Sequence, residues 1–298
     1  MTATDPDHRP VADHLAVDHE RRQVNGVDLH VVTAGDPTAP LVVLLHGFPE
    51  FWYGWHRAIT PLVEAGYRVV VPDQRGYNRS EKPAGVRPYR ITELAADVVG
   101  LIDAEDTPAA HVVGHDWGAF VAWDLALRYP RRVNRLGIVN VPHPTAFRRR
   151  LVRDPRQLLR SWYAFLFQLP RLPEWAAARD DFALWTRVLT DGVPPGTFTD
   201  ADLDRYREAW GQPGAARAMV NWYRAVPRYP SFPPREEVAA PTLVMWGEQD
   251  TALVPELAAD SVAFCANGRL ERFPDAGHFL THERPDAVAD LLVDHFDG

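Results

Sequence analysis

Cysteine is nearly absent from the 298 residues: Cys265 is the only one, so no disulfide can form within the chain. Lysine is as scarce. Lys82 stands alone, and arginine carries nearly all the positive charge. Basic residues are in deficit overall, 32 against 40 Asp and Glu for a net charge of -8, whereas a nucleic-acid surface needs a basic face. No apolar run approaches the length of a membrane span. The opening MTATDPDHRP has neither the basic nor the apolar segment of a secretory signal. These absences predict a cytoplasmic protein that takes neither nucleic acid nor membrane as partner; a monomer or homodimer is expected, and the sequence does not choose between them. A small molecule is the expected ligand. What is present suits that reading: 46% hydrophobic residues are enough for one large core. Ten tryptophans fit either general packing or an aromatic pocket for an apolar ligand.

Residues 1–20 are polar and aperiodic, and read as an extended N-terminal extension. In VNGVDLHVVTAG, Asn25-Gly26 between alternating runs predicts a hairpin. Four continuous apolar runs then read as strands buried on both faces: PLVVLLHG from Pro40, YRVVVPD from Tyr67, AAHVVGH from Ala109 and VNRLGIVNV from Val133. Helical patterns over 52–64, 91–102 and 117–128 separate them. After Asn140 the alternation gives way to an Arg-, Pro- and Trp-rich, mostly helical stretch. Strand signals return in PTLVMWG and GRLERFP, and a helix over 285–296 closes the chain. The layout predicts a mostly parallel sheet with helices on both faces. Its core covers 21–141 and 235–298, with a helical lid inserted at 142–234.

One short motif carries chemistry. VVGHDWGAF sets Asp116 between Gly114 and Gly118 where a strand turns into a helix, the context of a Gly-x-nucleophile-x-Gly turn. The glycines are needed because backbone meets backbone there. A helix N-cap is the bland alternative for Asp116. An acid and a histidine should follow, each just past a later strand. Asp250 lies three residues beyond LVMWG, and His278 lies in DAGHF beyond LERFP. Glu248 and Asp275 could substitute for Asp250, less well placed relative to the strand. His46, His115, His282 and His295 read as structural hydrogen-bonding residues. In DQRGYNRS, Asp73 and Arg75 are expected to pair locally, with Gly76 allowing a tight turn. The run FRRRLVRDPRQLLR reads as the solvated face of a lid helix, charges interleaved with Leu151, Val152, Leu158 and Leu159.

From Val24 to Phe296 the chain resembles the epoxide hydrolase group of the α/β-hydrolase superfamily, which shares its aspartate nucleophile with haloalkane and haloacetate dehalogenases. HGFPEFWYGW, DQRGYNRSEKP, GHDWGA and WGEQD carry the likeness, in that order along the chain. The resemblance implies an α/β-hydrolase fold, a cis peptide bond between Phe48 and Pro49, and an oxyanion hole built from the backbone N–H groups of Phe48 and Trp117. It implies no cofactor and no metal. At the end of LGIVNV, where some related enzymes keep their acid, Asn140 stands, and an amide cannot balance a charged imidazolium.

An aspartate at 116 changes the reaction from that of a serine. An ionised carboxylate attacks an sp³ carbon without first losing a proton and forms an alkyl ester. A histidine-activated water then cleaves that ester, whereas a serine would take acyl groups from carboxylic esters. Epoxide opening creates a basic alkoxide and calls for a weak acid. The lid segments RSWYAFLFQLPRLPEW and VNWYRAVPRYP resemble those that supply paired tyrosines in epoxide hydrolases, which puts Tyr163 and Tyr223 in that role. Each could instead simply pack a helix. Tyr206 and Tyr229 read as structural. Phe48, Trp117, Trp162, Trp222 and Phe279 are the expected pocket residues for a small apolar epoxide and water. Hydrolytic dehalogenation is the competing enzyme reading, weakened because Phe48 offers no side-chain donor where haloalkane dehalogenases usually carry Asn. The arginines that serve haloacetates are replaced by Trp117 and Ala119, although the Trp117 indole could still touch a halide. A non-catalytic receptor on the same fold is the third reading.

Overall fold

The computed structural model describes residues 17–298. Eight strands form one sheet: β1 (Asp18–Val24), β2 (Val27–Ala34), β3 (Leu41–Leu45), β4 (Arg68–Pro72), β5 (Ala110–His115), β6 (Val133–Val139), β7 (Thr242–Gly247) and β8 (Gly268–Phe273). Their spatial order is β1-β2-β4-β3-β5-β6-β7-β8. β1 and β2, and β2 and β4, pair antiparallel; every other pair is parallel. The hairpin turns on Asn25 and Gly26, both with positive φ, as a two-residue hairpin loop demands. β1 begins inside the stretch expected to be an extension. Its seven residues pair with β2 from Asp18↔Thr33 to Val24↔Val27, and it is polar because it is a partly exposed edge. The rest of that expected extension lies outside the described residues.

β3, β4 and β5 are buried at every position. Helices cover both faces, so each Val or Leu there contributes on the order of 1.5–3 kcal/mol of burial. α1 (His56–Glu64) packs with α13 (Pro285–Asp297), and α2 (Ile91–Ala104) with α3 (Trp117–Arg128). β8 is the partly exposed far edge of the sheet. The short helices α11 (Glu256–Val262) and α12 (Leu280–Glu283) complete the core region. Because β3, β4, β5, β6, β7 and β8 run parallel, their C-terminal ends bring six loops to one side of the sheet.

Between β6 and β7 the chain forms α4 (Pro144–Arg153), α5 (Pro155–Arg160), α6 (Trp162–Leu166), α7 (Leu172–Ala178), α8 (Ala183–Thr190), α9 (Asp200–Trp210) and α10 (Ala215–Arg228). Polar clamps tie this segment to the core. Trp210 Nε1 donates to the Pro49 carbonyl at 2.5 Å, Trp222 Nε1 to the Arg75 carbonyl at 3.0 Å, Tyr53 OH to Asp202 at 2.7 Å and Tyr206 OH to Glu50 at 3.0 Å.

Two local expectations fail for identifiable reasons. Arg75 pairs with Asp97 of α2, not with Asp73, because Asp73 already accepts from His30, Asn78 and the Trp52 N–H. The Arg-rich run is not one amphipathic helix. Asp154 caps a new helix at Pro155 and resets the register, leaving Val152 88% and Leu159 73% exposed. Among the described residues no helix is long and apolar enough to cross a membrane.

Candidate active site

Asp116 sits at the turn from β5 into α3 with φ 48 and ψ -123, a conformation that L-residues rarely adopt and that surrounding packing must enforce. Tight backbone packing forces the turn. A Cβ on Gly118 would lie 2.1 Å from the Leu45 carbonyl oxygen, and one on Gly114 would lie 2.4 Å from the Gly118 carbonyl. On Gly47 it would lie 2.2 Å from the Asp116 Cβ. These glycines let β3, β5 and α3 close around one carboxylate.

That carboxylate is not spent on capping. It occupies the N-cap position of α3 but makes no side-chain capping bond. Its Oδ1 accepts from the Phe48 N–H at 2.6 Å, and its Oδ2 stands 3.5 Å from His278 Nε2. The Trp117 N–H begins α3, where no intrahelical acceptor exists. The Phe48–Pro49 peptide is cis, as the resemblance implies. Both Asp116 and His278 keep a reachable edge, their side chains 16% and 14% exposed.

His278 Nδ1 donates to Asp250 Oδ2 at 2.7 Å. Asp250 is buried, and burial alone would raise its pKa; His278, the Asn140 amide and the Ala252 N–H reverse that and hold it below the ordinary carboxylate value. Its partners are specific: Asn140 Nδ2 at 3.0 Å, the Ala252 N–H at 2.7 Å and the Leu253 N–H at 3.0 Å. Asn140 thus holds the acid in place, and also accepts from the Gly247 N–H at 3.0 Å. Burial pushes the His278 imidazole down, but the Asp250 and Asp116 carboxylates outweigh it and raise its pKa well above the usual histidine value. The alternatives to Asp250 lie elsewhere. Glu248 pairs with Arg272 and Asp275 with Arg284 at the surface.

Tyr163 and Tyr223 come together from α6 and α10, ring centroids 5.9 Å apart. Burial, then the negative charge of Asp116, raises both phenol pKa values above the ordinary one, so each keeps its proton at neutral pH. Phe48 packs edge-on against Phe167, Trp185 and Tyr223. Trp117 meets Tyr223 at 4.9 Å, and Phe279 meets His278 at 5.2 Å. Two expected pocket residues do not join this group. Trp162 is 63% exposed, because neighbouring positions on a helix point about 100° apart and Tyr163 takes the inward direction. Trp222 is buried behind Trp117 (centroids 5.7 Å apart), its indole held by the Arg75 carbonyl. It forms a supporting layer.

A buried network behind the histidine escaped the sequence reading as a functional feature. Glu50 bonds His115 Nδ1 at 2.8 Å, His282 Nε2 at 2.8 Å and Tyr206 OH at 3.0 Å, while His115 Nε2 meets the His278 carbonyl at 2.8 Å. Burial would raise the Glu50 pKa, but the two histidines draw it well below the usual range. Both His115 nitrogens face acceptors, so filling both contacts takes two N–H groups. Glu50 is the last residue of HGFPE, and His115 directly precedes Asp116. Their places inside the motifs were the only signal available.

Comparison with known proteins agrees with this geometry. The α/β hydrolase fold family matches residues 40–285. The chain is 44% identical over 271 residues to the AB hydrolase superfamily protein YfhM of Bacillus subtilis, covering 91% of this chain and 95% of that protein. It is 35% identical over 275 residues to mouse epoxide hydrolase 4, covering 90% of this chain and 76% of that one. Among solved structures, a Bacillus megaterium epoxide hydrolase in complex with an inhibitor superposes with a TM-score of 0.87 at 31% identity, over 94% of this chain and 100% of that one. Epoxide hydrolase A of Mycobacterium thermoresistibile gives 0.81 at 31% identity, over 95% and 98%. The chain belongs to the α/β-hydrolase family, within its epoxide hydrolase group.

Proposed function

We propose that this chain converts a small apolar epoxide to a vicinal diol through a covalent ester on Asp116. The observation that carries the proposal is the aim of the Asp116 carboxylate: one oxygen on the Phe48 N–H, the other 3.5 Å from His278. In the first step an Asp116 oxygen displaces the epoxide oxygen at a ring carbon, while Tyr163 or Tyr223 gives its proton to the departing alkoxide. In the second step His278 takes a proton from water, and the hydroxide attacks the ester carbonyl of Asp116. The Phe48 and Trp117 N–H groups hold the oxyanion. Collapse expels the product oxygen, which takes the proton from His278 and leaves as the diol, and the Asp116 carboxyl gives its remaining proton back to the tyrosinate, restoring carboxylate and phenol.

Electrostatics supports this order of events. Before alkylation, two carboxylates stabilise a protonated His278. Esterification neutralises Asp116, which removes one of them. The imidazole pKa falls, and His278 becomes a competent base only when there is an ester to cleave. Asp250 orients it and balances the imidazolium, and Asn140 orients Asp250. The helical segment 142–234 acts as the cap, carrying the acids and excluding bulk water. Cys265 is partly buried and unpaired, which suits a reducing cytoplasm.

The test is an epoxide panel with chiral analysis of the diols. Turnover by the natural chain, lost in Asp116→Ala, is the expected result. Halide release from haloalkanes or haloacetates without epoxide turnover would instead favour dehalogenation. The reading that competes least well is a receptor, which has no use for a water-activating pair.

A further inference from the structure

Asp250 opens a short loop after β7 that its own carboxylate folds: Oδ1 accepts from the Ala252 and Leu253 N–H groups at 2.7 and 3.0 Å. The remaining backbone groups of that loop are read by two side chains of α5. Gln157 Nε2 donates to the Ala252 carbonyl at 2.9 Å, and its Oε1 accepts from the Val254 N–H at 3.0 Å. Arg160 Nη1 bridges the Asp250 and Leu253 carbonyls at 2.9 and 2.6 Å. The clamps made by Trp210, Trp222, Tyr53 and Tyr206 hold α9 and α10 to the core. α5 is held to the core differently, through the loop of the catalytic acid.

This joint resists sliding. Gln157 is fully buried, and its Nε2 also donates to Ser161 Oγ at 3.1 Å, so a shift of α5 would strand a buried amide together with two backbone groups. Arg160 enters no ion pair among the described residues; its charge strengthens the bonds it gives to the two carbonyls. Ser161 leads directly from α5 into α6, which carries Tyr163. After burial, it is the charges of Asp116 and then Asp250 that raise the Tyr163 phenol, so the phenol lies within electrostatic reach of both carboxylates.

We infer that Gln157 and Arg160 are positioning residues, locking the Asp250 loop to the segment that carries Tyr163 so that one contact sets both the acid of epoxide opening and the base of ester hydrolysis. The inference rests on the covalent mechanism proposed above. Neither side chain is a reacting group. They act through Tyr163 and through Asp250, and a misplacement of about an ångström in such groups costs roughly 100-fold in rate.

The test is single-turnover kinetics with enzyme in excess, following epoxide loss and the acid-trapped Asp116 ester by mass spectrometry. This yields a rate constant for each step and the fraction of enzyme that reacts. Arg160→Met keeps the alkyl stem and its packing but removes the donors. Both rate constants should fall roughly 10- to 100-fold with the reacting fraction unchanged, whereas Tyr163→Phe should slow only opening and Asp250→Asn only hydrolysis. Arg160→Lys, which can still set one nitrogen between the two carbonyls, should restore both steps to within about threefold of the natural rates. Natural rates in Arg160→Met would overturn the inference. So would a loss confined to one step, a fall in the reacting fraction alone, as a mere folding defect gives, or a loss that lysine does not repair. A natural chain that neither opens epoxides nor forms the ester would instead bring down the mechanism itself, and this inference with it.

Discussion

Removing the two phenol protons, as Tyr163→Phe with Tyr223→Phe, asks whether the cap supplies acid to the reaction. The rings are 5.9 Å apart and both phenols stay protonated, so each can donate to a leaving oxygen placed between them. One hydrogen bond to a charged oxygen is worth about 1.5–3 kcal/mol, or roughly 10- to 150-fold in rate. Either single variant should therefore lose about 10- to 150-fold in kcat/KM for epoxide opening, because the other tyrosine remains. The double variant should lose about 10³-fold or more, within reach of what general acid catalysis commonly contributes. The assay is single-turnover consumption of epoxide with enzyme in excess, which isolates opening from ester hydrolysis. Folding should be little affected, since each ring keeps its aromatic contacts. A double variant that opens epoxide within about threefold of the natural rate would refute the acid role.

Replacing Asp116 with Asn removes a negative charge 3.5 Å from His278 Nε2 and so imitates the esterified state. The His278 pKa, held up in part by that charge, should fall in the variant when followed by NMR titration; an unchanged titration would contradict the base-switching account. Gly118→Ala drives a Cβ to within 2.1 Å of the Leu45 carbonyl, which forces β3 and α3 apart at a cost of about 1–3 kcal/mol. Its thermal midpoint should drop by several degrees and activity should fall with it. Gly26→Ala meets nothing within 4 Å but has φ +74. It should cost about 1 kcal/mol of backbone strain and leave turnover intact, measured by calorimetry and the diol assay.

How much was legible in the sequence depended on how local the cause was. Asn25-Gly26 forms its hairpin and Trp117–Arg128 its helix because turn chemistry and periodicity act over a few residues. The Asp116, Asp250 and His278 trio was legible because each sits within a few residues of the end of a strand. The pairing of Arg75 with Asp97 was not, since nothing nearby in sequence brings α2 to that loop. α5 and α6 span six and five residues, too few for periodicity to choose a face, which is how Trp162 came to be expected inside. Glu50 and its two histidines show the same limit. Their partnership spans 65 and 232 residues of chain and exists only once the segment after β8 has closed on the motif.

The central claim is that an Asp116 oxygen ends up in the product. A single turnover in ¹⁸O-water, with enzyme in excess over epoxide, tests it directly by mass spectrometry of the diol and of the peptide containing Asp116. The mechanism predicts an unlabelled diol from the first turnover and one ¹⁸O in the Asp116 carboxylate. Label appearing at once in the diol, with none in the peptide, would mean that water attacks the epoxide directly.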